Sequence, residues 1–424
     1  MKYYNRLIDE VLAFRLSAKG AILITGPKWC GKTTSAKRLA KSDINMQDRR
    51  NKEQYLALAK LDPDAILFGE TPRLIDEWQL APSLWDAVRQ IVDERGLFGQ
   101  FVLTGSSVPA SRELNSHSGV GRIAEVQMRT MSLYESGDSS GVFSLKDIFD
   151  GVITKNSVMV QNSIHTVAYL ICRGGWPQAI DSSVDINLQQ AIDYFEMIYS
   201  HDIIEIDGIK RDPVRGKALL RTYARHISQP SSNSTILSDI NKGDGNSIMN
   251  MDTFVSYANA FKRMFVIDEI EAWDPDFRSA TAIRTSSIRH FSDPSIATAA
   301  LGMSPNDLIN DLKTMEFLFE SMCIRDLRVY ADVLNGSVFH YRDNSGLEVD
   351  AIIHLKDGRW GAIEMKLGYD EVPKAIANLK RLQEKAIRAA YSKPSFLMVI
   401  TGNSVGYYDK DNNVWVVPIT ALKS

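Results

Sequence analysis

Gly26-Pro27-Lys28-Trp29-Cys30-Gly31-Lys32-Thr33 is the stretch from which the rest of this chain is read. Two glycines stand apart by the four residues Pro27 to Cys30, followed at once by lysine and a hydroxyl residue, with Thr34 next. Glycines let the backbone curl so that several N–H groups face inward onto phosphate oxygens. Lys32 then reaches the outer phosphates of a bound nucleotide such as ATP, and the Thr33 hydroxyl suits Mg²⁺. The flanks agree. Ala21-Ile22-Leu23-Ile24-Thr25 is an apolar, β-branched run of the kind that forms a buried parallel strand. From Thr34 to Lys41, Ala36, Leu39 and Ala40 share one helical face while Lys37, Arg38 and Lys41 take the other. Strand, glycine loop and helix together place an anion on a helix N-terminus. An ordinary glycine turn is the competing reading, and it leaves these flanks unexplained.

Outward from the loop, Tyr4 to Leu16 carries Leu7, Ile8, Val11 and Leu12 at helical spacing, so a helix leads in. Downstream, Leu74-Ile75-Asp76-Glu77 closes an apolar strand with two carboxylates. In phosphate-loop ATPases a strand-end aspartate holds Mg²⁺ and a following glutamate polarises the attacking water, which gives Asp76 and Glu77 those roles. Gln100 to Ser107 reads as another strand, tipped by Thr104, Gly105 and Ser106. Thr104 or Ser106 would hydrogen-bond the outer phosphate or the water, and the sequence does not choose between them. Arg122, in Gly119-Val120-Gly121-Arg122, is either a charge-neutralising arginine acting in cis or from a neighbouring subunit, or a solvated side chain.

These residues resemble the AAA-type ATPase domain of a large prokaryotic family whose C-terminal half is a conserved domain of unknown function. The likeness rests on Gly26 to Thr33, Leu74 to Glu77 with Gln79, Leu103-Thr104-Gly105-Ser106 and Gly121-Arg122. It extends to Met131-Ser132-Leu133-Tyr134-Glu135, where relatives carry Pro-Leu-Ser before a Glu and this chain has Thr130-Met131 before its serine. The resemblance implies ATP and Mg²⁺ as ligands and ATP hydrolysis as the activity. Arg173-Gly174-Gly175-Trp176-Pro177 is similar to a Gly-Gly-aromatic-Pro turn of the same family.

The middle is helical. Ala191, Tyr194, Phe195 and Ile198 form an apolar stripe over about 187–201, read as a connector or lid. From Gly208 to His226 the chain turns basic, with Lys210, Arg211, Arg215, Lys217, Arg221 and Arg225 against Asp212. Helices around 236–240 and 252–263 and a strand-like Met264-Phe265-Val266-Ile267 complete the pattern of a winged helix-turn-helix, which the resemblance also implies. Thr253, Ser256, Asn259, Lys262 and Arg263 are a thin set for reading DNA, so a nucleic acid and a partner protein both stand as ligands of this region.

A second constellation lies near the C-terminus. A helix over 312–327 places Glu316 and Glu320 one turn apart, and strands follow at 338–342 and 347–353. Trp360-Gly361-Ala362-Ile363-Glu364-Met365-Lys366 sets Glu364 and Lys366 on the same side of a third strand. With a helix over 372–386 and a strand over 396–401, the order is αβββαβ. It looks like the restriction-endonuclease-like core, whose Asp and Glu-x-Lys signature falls on Asp350, Glu364 and Lys366. That likeness implies divalent-metal binding by Asp350 and Glu364, with Glu316 or Glu320 completing the shell, and water positioning by Lys366.

The expected architecture is therefore α/β multidomain: a P-loop parallel sheet with flanking helices over 1–150, a helical connector or lid over 151–210, a winged-helix region over 211–311, and the nuclease-like domain over 312–424. Cys30, Cys172 and Cys323 are too scattered for a disulfide framework or a zinc site. A formal net charge of −3 argues against wholesale coating of nucleic acid. No apolar run has membrane-spanning length and no signal peptide is evident, so the reading is cytoplasmic with no membrane partner. Oligomeric state is left open. Two functions stand: an ATPase whose nucleotide state gates a nuclease-type site, and a nucleotide-switched interaction protein with a silent nuclease-like fold.

Overall fold

A computed structural model describes residues 3–105, 121–153, 157–159, 163–205, 208–243, 247–273, 287–389, 391–403 and 405–424. Its contacts divide the chain into two units. The first comprises Met1–Thr130, Asp202–Lys210 and Asn259–Val266; the second comprises Met131–His201, Arg211–Ala258 and Ile267–Ser424.

In the first unit, β1 (Ala21–Thr25), β2 (Ser42–Asn45), β3 (Arg73–Asp76), β4 (Phe101–Thr104) and β5 (Ile123–Gln127) form a parallel sheet in the order β2-β3-β4-β1-β5. All five β1 residues are buried, and alternation sends them to two cores. Ala21 and Leu23 join Ile75, Phe101 and Leu103 under Leu84, Val88 and Ile91 of the helix Ser83–Arg95. Ile22 and Ile24 join Leu74 and Val102 beneath Ile8, Leu12 and Leu16 of the lead-in helix Ile8–Ala18. Covering on both faces is what turns these strands into continuous apolar runs. The register pairs Ile24 and Asp76 each with Thr104, so the C-terminal tips of β1, β3 and β4 lie side by side.

The second unit is built on a seven-stranded mixed sheet. Its strands are β7 (Val158–Met159), β8 (Gly336–Arg342), β9 (Glu348–Leu355), β10 (Trp360–Lys366), β11 (Phe396–Thr401), β12 (Val405–Asp409) and β13 (Val414–Pro418), ordered β7-β12-β13-β11-β10-β9-β8. Helix Leu312–Val333, three strands, helix Val372–Arg388 and β11 follow one another in the expected αβββαβ order. A short parallel pair joins β6 (Phe143–Ser144) to β14 (Leu422–Lys423).

By contacts the first unit's N-terminal segment runs to Thr130, and the residues that follow pack in the second unit. The Leu133 N–H donates to Asp326 at 2.9 Å, and Arg325 pairs with Asp326 at 2.7 Å and with Asp293 at 3.2 Å. Asp293 also accepts from the Gly175 N–H, and the Trp176 indole donates to Ser295. The Gly-Gly-Trp turn is thus packed core, with the helices Ile164–Arg173 and Val184–Met197 beside it. Three helices, Pro213–Arg225, Asn233–Asn241 and Met251–Arg263, do precede antiparallel bridges Ile267–Phe291 and Ile270–Ile288. Residues 264–267 form no strand, however. The Met264 and Phe265 amides still bond back into the helix, and Phe265 terminates it at φ 57°.

His290 is buried, with Nδ1 3.3 Å from the Ser321 hydroxyl and Nε2 without a partner. Burial, reinforced by nearby Arg328, pushes its pKa down to about 3 from 6.5. A depressed folded pKa means that the unfolded chain takes up the proton first. Stability is therefore full above pH 6.5 and falls as pH drops towards 3, by up to about 1.4 kcal/mol per pH unit. Denaturant midpoints measured from pH 7 to 4 should show a shallower decline for His290→Gln than for the parent.

Candidate active site

The phosphate loop leaves β1 through Gly26 at φ 143°, where an added Cβ would stand 2.1 Å from the Met128 carbonyl oxygen. Only glycine fits there. Gly31, left-handed at φ 105°, caps the helix Lys32–Leu39, whose first-turn amides thereby face the loop. Lys32 is 7% exposed, and its Nζ donates to the carbonyls of Gly26 and Pro27 at 2.9 and 2.8 Å. The loop is braced from behind by Arg6, which donates to the Cys30 carbonyl at 2.7 Å and the Arg129 carbonyl at 2.8 Å. Cys30 is buried against Met128, while Trp29 and Thr34 are exposed. Lys28 pairs with Asp202 at 2.7 Å.

Asp76 is 3% exposed at the tip of β3. Its Oδ1 accepts from the Thr33 hydroxyl at 2.9 Å and from the Thr104 hydroxyl at 2.5 Å. Thr104 is therefore turned onto the carboxylate that it orients. Ser106, its alternative, lies outside the described residues. Glu77 leaves the strand in the left-handed region, at φ 58° and ψ 43°, a conformation that costs a bulky residue of order 1–3 kcal/mol. The Gln79 amide donates to its Oε2 at 2.5 Å. Gly105 makes room for this grip, since a Cβ there would stand 2.7 Å from Gln79 Oε1.

Arg122 is not brought to this group. Its carbonyl accepts from the Ala21 N–H at the start of β1, the end opposite the loop, and its guanidinium pairs with Asp93 at 2.7 Å. Five residues of extended strand, roughly 17 Å, separate that edge from the loop. Arg122 thus lies at the far end of β5 from the loop.

Thr33 and Asp76 offer the hard oxygen donors that Mg²⁺ requires, already within hydrogen-bonding distance of each other, so these residues fit the ion. Sequence reasoning had named both. It missed Arg6, the Gln79 grip and the Lys28–Asp202 pair, because a brace and an ion pair across long separations leave no periodic signal.

In the second unit, Lys366 Nζ lies 3.5 Å from Asp350 and 3.3 Å from Glu364. Asp350 also accepts from the Met365 N–H at 2.7 Å. Burial, then the neighbouring Asp350, push the Glu364 carboxyl up to about 8, with Lys366 and the Asn378 amide opposing. Burial disfavours the Lys366 ammonium, but Asp350 and Glu364 outweigh it and raise its pKa. Glu320 is raised well above the usual carboxylate range by burial and then by Asp350, with Glu364 and Glu316 adding to it. Glu316 is raised by burial and then by Glu371. Glu364 Oε1 is buried with no hydrogen-bond partner. As the side chains stand, no group of three or more His, Cys, Asp or Glu among the described residues is placed to hold a metal. A divalent ion would therefore need these carboxylates to close in, and Lys366 to give way between them.

In the middle region, a groove of about 420 Å³ is lined by Lys217, Arg221 and Arg225 with Tyr199 and Asp239. Asp239 is the acceptor for Arg225 at 2.5 Å. Ser256 of the expected recognition helix accepts from Arg211. No described helix is long and apolar enough to cross a membrane.

Comparison with known proteins separates three segments. Residues 18–136 match the model of an AAA domain, residues 164–307 that of a domain of unknown function (DUF8612), and residues 315–422 that of another domain of unknown function (DUF4143). Uncharacterized proteins of Mycobacterium tuberculosis and Mycobacterium bovis are each 32% identical to this chain over 121 residues, 28% of this chain. The aligned stretch spans 27% of each relative's length. The phosphate loop and the Asp76 tip thus lie in an AAA-type domain, and the Glu364–Lys366 cluster lies in a C-terminal domain of unknown function.

Proposed function

We propose that the chain is a Mg²⁺-dependent ATP hydrolase whose nucleotide state gates the C-terminal acidic cluster, a nuclease-like site directed at nucleic acid. One observation carries the hydrolytic part: Asp76 Oδ1 accepts from both Thr33 and Thr104 beside a loop that already encloses Lys32. The Gly26 to Thr34 backbone would bind the phosphates, with Lys32 leaving its two carbonyl partners for the outer phosphate oxygens. Thr33 and Asp76 would hold Mg²⁺, which supplies charge neutralisation on the transferring phosphoryl group. Thr104 keeps Asp76 in place. Glu77, aimed by its strained backbone and by Gln79, polarises the attacking water. Arg122 takes part only if a neighbouring copy presents it.

At the second site Asp350 and Glu364 would hold a divalent ion, and Lys366 would position water against a phosphodiester. The partnerless Glu364 Oε1 supports this. A second reading is favoured by the lysine sitting between the two carboxylates: a nucleotide-switched module in which Lys366 permanently neutralises the cluster and the fold only docks a partner protein. DNA, RNA or such a partner would meet the middle helices in either case.

Two outcomes are expected. Glu77→Gln should bind ATP with near-parental affinity in equilibrium titration, yet lose about a hundredfold or more in steady-state turnover. Unchanged turnover would remove Glu77 from the reaction. Single- and double-stranded DNA and RNA incubated with Mg²⁺ or Mn²⁺ should be cut by the parent and left whole by Lys366→Ala. If the parent also leaves all four intact, with and without ATP, the docking module replaces the nuclease.

A further inference from the structure

Lys28 occupies the third position of the phosphate loop, the segment whose backbone cradles the outer phosphates of a bound nucleotide. Its ammonium is nevertheless spoken for. Asp202 Oδ1 lies 2.7 Å away, and that aspartate is 12% exposed where the lysine is 45% exposed. Asp202 ends a single π-helical stretch, Ile198–Asp202, that interrupts the helical chain between Val184–Met197 and Ile203–Glu205. It is also the first residue of the segment by which the chain re-enters the first unit. A single-turn π stretch inside a helix is rare and recurs at functional positions. Here its last side chain is tied to Lys28, the more exposed of the two lysines that the loop carries.

One ammonium cannot serve two anions equally. A terminal phosphoryl group brought into the loop competes with the Asp202 carboxylate for Lys28, and the two anions repel each other at short range. ATP places more negative charge at this position than ADP does. We propose that Lys28 and Asp202 form a nucleotide-sensing latch: the terminal phosphate of ATP draws the Lys28 ammonium away from Asp202 and frees the 198–205 turn. The inference rests on the ATP reading above and adds what that reading lacks, a residue through which the bound nucleotide is felt outside the loop. It makes Asp202 a specificity-determining residue, one that lowers affinity for the triphosphate more than for the diphosphate.

The test uses the full chain in a Glu77→Gln background, so that ATP is not consumed, with ATP and ADP titrated in Mg²⁺. Asp202→Asn should tighten ATP roughly threefold to tenfold and ADP by less than about twofold. In a Lys28→Gln background the same substitution should have no effect, since a shared partner makes the two changes non-additive. Backbone amides of residues 198–205 should exchange faster with ATP than with ADP in the Glu77→Gln parent, and equally fast with both in Asp202→Asn. Matching thermal melts confirm that the variants are folded. Equal tightening of ATP and ADP, or an Asp202→Asn effect undiminished in Lys28→Gln, would overturn the latch while leaving ATP binding intact. A parent chain that binds neither nucleotide would instead overturn the functional reading, and the latch with it.

Discussion

The first unit depends on one carboxylate oxygen. Asp76 Oδ1 receives hydroxyl protons from Thr33 and Thr104; Thr33 belongs to the helix that follows the loop and Thr104 to the tip of β4, the strand between β1 and β3. This arrangement requires β1, β3 and β4 to run parallel and to end level, which their register provides. Parallel strands require crossovers, and the crossovers supply helices that cover both faces. The glycine loop is then a consequence of geometry. Its backbone must turn from the end of β1 into a helix while passing close to Met128, where no side chain fits on Gly26.

Buried charge is handled in two contrasting ways in the second unit. Arg325 sits between Asp293 and Asp326, all three almost wholly inaccessible, and further backbone amides from Leu133 and Gly175 complete the carboxylates' hydrogen bonding. Such a set fixes how distant segments meet, although Arg325 Nη2, close as it lies to Asp326, makes no well-aligned hydrogen bond. Removing one member would strand a buried charge, at a cost of order 3–5 kcal/mol. Around Lys366 the balance is different. Glu316, Glu320, Asp350 and Glu364 share one ammonium, and three of the four carboxyls are pushed upward. Burial and mutual repulsion thus push these carboxyls towards their neutral form, which relieves part of the like charge that the fold gathers there.

The phosphate loop, the Asp76–Glu77 strand end and the αβββαβ order could all be read directly, because each is local: a spacing, an apolar run, a periodicity. Arg122 stayed open between cis, a neighbouring subunit and solvent, because proximity in sequence to the loop's neighbouring strand says nothing about which end of that strand it occupies. Thr104 and Ser106 stayed open as alternatives, and the hydrogen bond from Thr104 to Asp76 is a contact that no sequence pattern displays, since the sequence cannot show which way a hydroxyl turns. The contact-based division after Thr130 was equally illegible. The contacts that draw Met131 to Phe149 into the second unit come from Asp326 and Leu422, far along the chain.

What the sequence by itself determined is the chemistry on offer: a phosphate-binding turn, paired carboxylates at two places, a lysine two residues from a glutamate, and the elements carrying them. Those follow from backbone sterics and from the burial of apolar faces, which act over a few residues. Tertiary structure alone decided who holds whom. It set Arg6 behind the loop, Gln79 against Glu77, Lys28 on Asp202 and Lys366 between two carboxylates. Hydrogen bonds and ion pairs act over about 3 Å in space and are indifferent to separation along the chain, so only the folded arrangement selects among the partners that composition makes available.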